Sequence, residues 1–491
     1  MKLKIKYRPL FHLPVWGIVF FVLFQISCRK LVEVDAPVTS LNANNVYTNN
    51  TTAVAVLTGV YINMSSPSSL SNGTLSAISV YTGASSDELG IYGGTSNGNS
   101  TLVQFYSNAL TNASNETYWE NIYSYLETVN SALEGLSASS SLTPEVKQQL
   151  VGEAKFLRAF FNFYLVTLYG DVPLVTSSNY EVNALLPRAP KVQVWRQIIS
   201  DLTDAKSLLN ANFLDPTLEN LTDERVRPTK WAATALLARA YLYTSNYDSA
   251  AMQATEVINN AGLFSLDTLN GVFLKNSTEA IWQLQPVNIG WNTQDAQVFI
   301  LPVPAGPTDP GDQNPVYLSS YLLNSFEPGD QRRLNWVDSI VVSGITYYYS
   351  YKYKSATSNA PVTEYTMVLR LAELYLIRAE AEAQLNDLSD ATSDLNMIRS
   401  RAYLPNIASI ISSSQASLLV AIQHERQVEL FTEWGHRWLD LKRTGTVNSV
   451  MGSPGGVCSA KGGIWKSDWQ LYPIPLYELQ QDANLTQNLG Y

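Results

Sequence analysis

Three groups of residues in this chain have types and spacings that could do chemistry. Asp87 and Glu88 are neighbouring carboxylates in a stretch rich in Ser, Gly and Asn. A glycosidase needs two carboxyl groups facing one scissile bond at a set separation, which adjacent loop residues do not guarantee. The pair suits hydrogen bonding to ligand hydroxyls, or oxygen ligation of a hard cation such as calcium, and a solvated turn would use it equally well. His436 with Glu433, Arg437 and Asp440 could pair a base with its orienter. On a helix, though, their 3-4 spacing puts them on one face, where a salt-bridged packing network is the better expectation. The third group is aromatic: Trp291 flanked by Asn288, Asn292 and Gln294, with Tyr92 and Asp87 upstream and Tyr317 downstream. Rings that stack on C–H faces, beside amides and carboxylates that bond hydroxyls, are what a neutral polar ligand such as a sugar needs. The expected ligand contacts are therefore Trp291, Asn292, Tyr92, Asp87 and Tyr317, with no catalytic residue and no metal ligand.

Other chemistries find little support. The three histidines are His12, His424 and His436, the last two twelve residues apart with no cysteine or second histidine at ligand spacing, so zinc is not expected. Gly93-Gly94 and Gly455-Gly456 lack the Lys-Ser/Thr pair or the strand-helix context of a phosphate-binding loop. A net charge of -10 repels a phosphate backbone, and no basic stretch interleaved with aromatics offsets it, so nucleic acid is not an expected partner. Charged residues make up only 15% of the chain, while 28 Tyr and 11 Trp supply rings both for cores and for binding faces.

The elements that must position these residues read as mostly helical. With 491 residues and 46% hydrophobic composition, the chain can bury a large core. Phe156, Ala159, Phe163 and Val166 form an apolar stripe, as do Trp231, Ala235, Ala238 and Leu242, and again Leu374, Ile377, Ala381 and Leu385. Gly170 is placed to end the first of these helices, with Pro173 just beyond. Two helix-break-helix pairs are expected, Thr229 to Thr244 with Tyr247 to Asn259, and Glu364 to Leu385 with Leu388 to Arg401. Leu157-Arg158-Ala159, Ala238-Arg239-Ala240 and Ile377-Arg378-Ala379 echo one another, a tetratricopeptide-like arrangement in which Ala lets paired helices approach. Residues 65–116 and 286–330 are dense in Ser, Asn, Gly, Pro and Asp and read as long irregular loops. Ile345 to Tyr353, with Tyr at alternate positions, reads as a strand or hairpin arm.

The N-terminus carries an export signal. Lys2, Lys4, Lys6 and Arg8 precede an apolar run from Val15 to Ile26, which is too short for a comfortable transmembrane span. It ends at Ser27-Cys28, the pattern of a lipoprotein cleavage site, although Gln25 stands where such sites usually carry Leu. The expected organisation is a signal peptide over 1–27, acylation of Cys28, a tether over 28–40 and one domain over 41–491. Cys458 is then left without a disulfide partner.

The segments also resemble a known family. Gly152-Glu153-Ala154-Lys155-Phe156-Leu157-Arg158-Ala159-Phe160 and Leu168-Tyr169-Gly170-Asp171-Val172-Pro173-Leu174 are similar to the signature helix and turn of SusD/RagB proteins. So are Arg227-Pro228-Thr229-Lys230-Trp231, Leu371-Ala372-Glu373-Leu374, Gly435-His436-Arg437-Trp438 and Leu471-Tyr472-Pro473-Ile474-Pro475, in order across most of the chain. The resemblance implies a mainly α, SusD-like superhelix of tetratricopeptide-like helix pairs, with a few short strands and an irregular region whose loops around 65–116 and 286–340 bind ligand. It implies a lipid-anchored outer-membrane protein facing outward that binds oligosaccharide and passes it to a SusC-like, TonB-dependent transporter, without enzymatic turnover. Arg29-Lys30 departs from the acidic residues often found after the lipidated cysteine of surface-exported members. A peptide-binding, RagB-like import subunit and an envelope scaffold without a small ligand are the alternatives.

Overall fold

The apolar stripes become helices because each buries one face against the next. The computed structural model describes residues 46–66, 78–114, 118–307 and 314–491. The signal peptide, Cys28 and the tether lie outside these residues. The longer helices are α1 (Asn50–Ser65), α2 (Ile78–Ser85), α3 (Ser100–Tyr106), α4 (Tyr118–Ala138), α5 (Pro144–Tyr169) and α6 (Lys191–Leu208). They continue with α7 (Lys230–Tyr243), α8 (Tyr247–Ile258), α9 (Leu371–Gln384), α10 (Leu388–Arg401), α11 (Gln415–Glu429) and α12 (His436–Arg443). Among the described residues no helix is long and apolar enough to cross a membrane.

From α4 to α10 each helix packs against the next, giving the expected succession of helical hairpins. Small residues sit where the backbones come close. A Cβ on Gly152 of α5 would lie 2.9 Å from Leu209, at the end of α6. Ala233, Ala240, Ala372 and Ala379 are fully buried on α7 and α9. The helix α5 begins with Pro144 at its first turn, where the missing N–H is not needed, and ends at Gly170, whose φ of +79° suits only glycine without strain.

The echoed arginines explain themselves in three dimensions. Arg158 on α5 clamps Asp201 on α6 with bonds of 2.8 and 2.7 Å. Arg239 on α7 clamps Glu373 on α9 at 2.7 and 2.6 Å, and Arg378 on α9 clamps Asp394 on α10 at 2.6 and 2.7 Å. Each pair is a two-pronged fork that fixes the register of neighbouring helices. The neighbouring acids serve other arginines, Glu153 holding Arg227 at 2.7 Å and Glu380 holding Arg443 at 2.5 Å.

Strands are short and occur in antiparallel pairs: β1 (Leu89–Ile91) with β3 (Val316–Leu318), β2 (Ala280–Leu284) with β6 (Thr366–Arg370), and β4 (Val337–Val342) with β5 (Ile345–Ser350). The β4–β5 hairpin turns on Ser343 and Gly344, both at positive φ, as a two-residue turn between twisted strands requires. Its second arm stops at Ser350, short of Tyr353. One expected helix is corrected: the segment from Glu364 to Arg370 is not part of α9. Thr366–Arg370 is a strand on β2, because a short apolar run without polar punctuation satisfies either period. The two stretches expected to be loops also contain α2, α3, β1, β3 and the short helix Gln294–Phe299. The pairing Leu89↔Leu318 joins these stretches directly.

Candidate binding site

The β1–β3 pair carries the candidate site. Gly90 lies opposite Tyr317, and a Cβ on Gly90 would come within 2.5 Å of the Tyr317 ring, so the missing side chain is what lets that ring lie flat over the strand. One residue past β1, Tyr92 donates its backbone N–H to Pro315 O at 2.8 Å, which holds its ring at the end of the pair. The β5 strand packs against β3 and brings Tyr347 between them. The Tyr317 and Tyr347 rings meet edge to face with centroids 5.2 Å apart, and Tyr92 tilts against Tyr347 at 6.2 Å. Below them lies a small apolar cluster of Leu301, Ile340 and Tyr349, separate from the main core. Tyr106 from α3 and the exposed Tyr321 complete the patch: burial, then the proximity of Tyr317 and Tyr321, pushes the Tyr106 hydroxyl up to about 12.

What distinguishes these rings is that their polar ends are free. Among the described residues, no hydrogen bond reaches the hydroxyls of Tyr92, Tyr106, Tyr317, Tyr321 or Tyr347. By contrast, Tyr349 on the same strand donates to Asp338 at 3.1 Å. A ring face beside an unpaired phenol is an amphipathic platform, able to stack on a C–H surface and to bond a hydroxyl at its edge.

Of the five residues expected from sequence, Tyr92 and Tyr317 come together here. Asp87 and Asn292 lie apart from the tyrosine rings, bonded within the scaffold. Asp87 is 5% exposed and forks with Arg437 at 2.8 and 2.7 Å, so its oxygens are spent on the scaffold. Its neighbour Glu88 is also buried and accepts the backbone N–H of Thr432. Desolvation pushes its carboxyl up to about 7, against the pull of that hydrogen bond. Asn292 is 3% exposed and fully used: it donates to Ser355 Oγ at 2.9 Å and Pro361 O at 3.1 Å, and accepts the N–H groups of Thr363 and Glu364. It ties down a loop. Trp291 is half-buried beside it and has no ring contact with the tyrosine patch among the described residues. Sequence reasoning missed Tyr347 as a site residue; the alternation of Tyr347, Tyr349 and Tyr351 marked a strand, but which face met β3 depends on tertiary packing.

The histidine cluster is structural. His436 is buried 4.0 Å from Glu373, and burial pushes it down to about 4, so it is neutral at pH 7. Asp440 receives Arg426 at 2.8 Å and Arg443 at 2.7 Å. Glu433 receives Lys352 at 2.5 Å and Arg370 at 2.7 Å, and Arg370 also reaches Glu279 and Glu429. Glu327, His424 and Glu425 bring donor atoms within 4.8 Å of one another, but both carboxylates hold Arg399, at 2.5 and 3.2 Å.

Comparison with known proteins agrees with this architecture. A family profile described as "SusD family" matches residues 337–491, and one described as "Starch-binding associating with outer membrane" matches residues 62–242. SusD-like protein P2 of Formosa agariphila is 28% identical over 421 residues, covering 76% of this chain and 79% of that protein. The starch-binding protein SusD of Bacteroides thetaiotaomicron is 33% identical over 134 residues, 25% of this chain and 21% of its own. Among solved structures, a SusD superfamily protein from Bacteroides vulgatus superposes with a TM-score of 0.76 at 20% identity, covering 90% of this chain and 99% of that one. A laminarin-binding SusD-like protein gives 0.73 at 25% identity, covering 91% and 100%. With its helical hairpins, its arginine forks and these matches at both ends, the chain belongs to the SusD/RagB family.

Proposed function

We propose that the protein is a cell-surface glycan-binding subunit, anchored in the outer membrane through acylated Cys28, that delivers oligosaccharide to a SusC-like, TonB-dependent transporter without turning it over. The observation that carries the reading is the tyrosine patch: Tyr92 and Tyr317 each in ring contact with Tyr347, on or beside short strands, with hydroxyls left unpaired. A neutral glycan fits such a surface because each sugar offers an apolar face and several hydroxyls, and no fixed charge that would need a counter-ion. The resemblance to a laminarin-binding structure supports the same ligand class. His436 and Asp87, the groups whose residue types suggested acid-base chemistry, are held by the scaffold, which favours binding over catalysis.

The test is a binding screen of the purified full-length protein in detergent against laminarin, starch and peptide libraries. Glycan binding that weakens in Tyr317→Ala supports the reading. Peptide binding alone, or release of reducing ends from polysaccharide, would overturn it. For the anchor, Cys28→Ala should abolish incorporation of labelled palmitate and release the protein from the membrane fraction; retention of label in the variant contradicts it.

A further inference from the structure

A second cleft lies on the helical side of the molecule, at the C-terminal end of α5. It has a volume of about 450 Å³, within the range of small-molecule sites, and its walls include Arg188, Lys191, Trp195, Tyr243, Lys442 and Gln470. Its charge is unusual for a chain of net charge -10. Arg443, also in the wall, is neutralised by Asp440 and Glu380, at 2.7 and 2.5 Å. Arg188, Lys191 and Lys442 have no carboxylate within 4 Å among the described residues. The one acid lining the cleft is Asp171, and its oxygen accepts the backbone N–H of Lys191 at 2.7 Å.

Part of this charge serves the helix end. Lys442 donates to Thr167 O, and Arg188 donates to Asp171 O at 2.7 Å and Tyr169 O at 3.4 Å, so both cover the end of α5; Arg188 also donates to Thr486 O at 2.9 Å and Asn488 Oδ1 at 2.5 Å, which leaves it one N–H and its charge to offer a ligand. A helix C-terminus carries about half a negative charge, however, which with Asp171 leaves three cations well short of balance. Lys442 spends one of its three donors on Thr167, and burial without a nearby carboxylate pushes its ammonium down to about 7. Two further groups have polar atoms to spare. The Tyr243 hydroxyl is buried without a hydrogen-bond partner, at the boundary with a neighbouring cleft. Gln470 donates to Ser467 O at 3.0 Å, and no hydrogen bond reaches its carbonyl oxygen among the described residues. The half-buried Trp195, fixed edge to face on Phe163 at 5.7 Å and tilted against Tyr243 at 6.1 Å, gives the same cleft an aromatic wall.

We propose that this cleft binds an anionic sugar residue, its carboxylate or sulfate ester held by Lys442, Lys191 and Arg188 and its ring laid against Trp195. The combination of cations, an indole face and a free amide oxygen matches such a unit better than it matches a bare ion, which would use the cations alone. The site is separate from the tyrosine patch and does not depend on it.

Calorimetric titration of the full-length protein in detergent, at fixed ionic strength, with D-glucuronate, glucose 6-sulfate, D-glucose and inorganic sulfate tests the proposal. At least one of the two anionic sugars should bind, with D-glucose and inorganic sulfate each at least about tenfold weaker, the scale of one charge-assisted contact. Lys191→Ala, whose exposed side chain makes no contact needed for folding, should weaken that binding about tenfold, and Lys442→Met at least as much. Tyr317→Ala, in the other site, should leave it unchanged. Binding of neither anionic sugar, equal binding of D-glucose, equal binding of sulfate, or an unaltered affinity in Lys191→Ala would each overturn it.

Discussion

The helical hairpins and the tyrosine-bearing strands treat their polar groups in opposite ways. Within and beside the hairpins, charges answer one another: Arg401 of α10, Arg332 and, at the end of β6, Arg370 converge on Glu279, Glu425, Glu429 and Glu433, four buried acids. On the strands, phenols are left open to solvent. A buried charge must be paired or it costs several kcal/mol, so the scaffold's charged groups are largely spent on one another. Capacity for a ligand remains where water had been satisfying the groups. This difference explains why Asp87 and Asn292, attractive by residue type, are not available to a ligand, while Tyr347, plain in sequence, is.

The largest effect should come from breaking the scaffold's network. Arg370→Met removes one cation from Glu279, Glu429 and Glu433 at once, and should cost about 3–5 kcal/mol in urea unfolding, against a much smaller loss for Tyr347→Ala. Equal losses would erase the contrast between the regions. Asp87→Ala comes next. Removing it leaves the partly buried Arg437 without its carboxylate, at a cost of about 2–3 kcal/mol in stability, while glycan affinity of the folded protein stays the same. A fall in affinity without a fall in stability would return Asp87 to the ligand site.

The pH dependence offers a comparable effect. With a folded value of about 4 against an ordinary 6.5, His436 stays neutral in the fold while the unfolded chain gains a proton below pH 6.5. Its contribution to stability is therefore lost as pH falls from 6.5 towards 4, to the extent of roughly 3 kcal/mol. Glu88, raised to about 7, acts in the other sense, favouring the fold below its unfolded value of 4.5 and losing that advantage as pH rises to 7. The His436→Gln variant isolates the first effect: its urea midpoint should fall less steeply between pH 6.5 and 4 than the parent's. Identical slopes would contradict burial of a neutral imidazole. The smallest effect is local. Gly90→Ala pushes a methyl against the far end of the Tyr317 ring, which should tilt aside and weaken glycan binding by a few-fold, with stability changed by about 1 kcal/mol or less.

Much of the scaffold was legible because it is written in short-range pattern. The stripe from Phe156 to Val166 and the stop at Gly170 act within a turn or two of their own helix, and the echo of Arg158, Arg239 and Arg378 repeats on three helices. Partner identity was not legible. Arg437 finds Asp87 across 350 residues, and nothing in either neighbourhood names the other. The segment before Leu371 failed for a different reason, since Tyr365 to Leu369 is mostly apolar and only pairing with β2 decides that it is a strand. The binding patch was half legible: ring content in loop-rich sequence pointed to Tyr92 and Tyr317, while Tyr347 joins them only through the packing of β5 on β3.

The central claim is that unpaired phenols on the paired strands, and not the carboxylates beside them, hold the glycan. Titration of the full-length protein with laminarin oligosaccharides, compared with the Tyr317→Ala/Tyr347→Ala double variant, tests it most directly. The account predicts binding by the parent chain and a loss of at least about tenfold in the variant, roughly 1.4 kcal/mol, with a largely retained urea midpoint. An affinity unchanged by removal of both rings would contradict it.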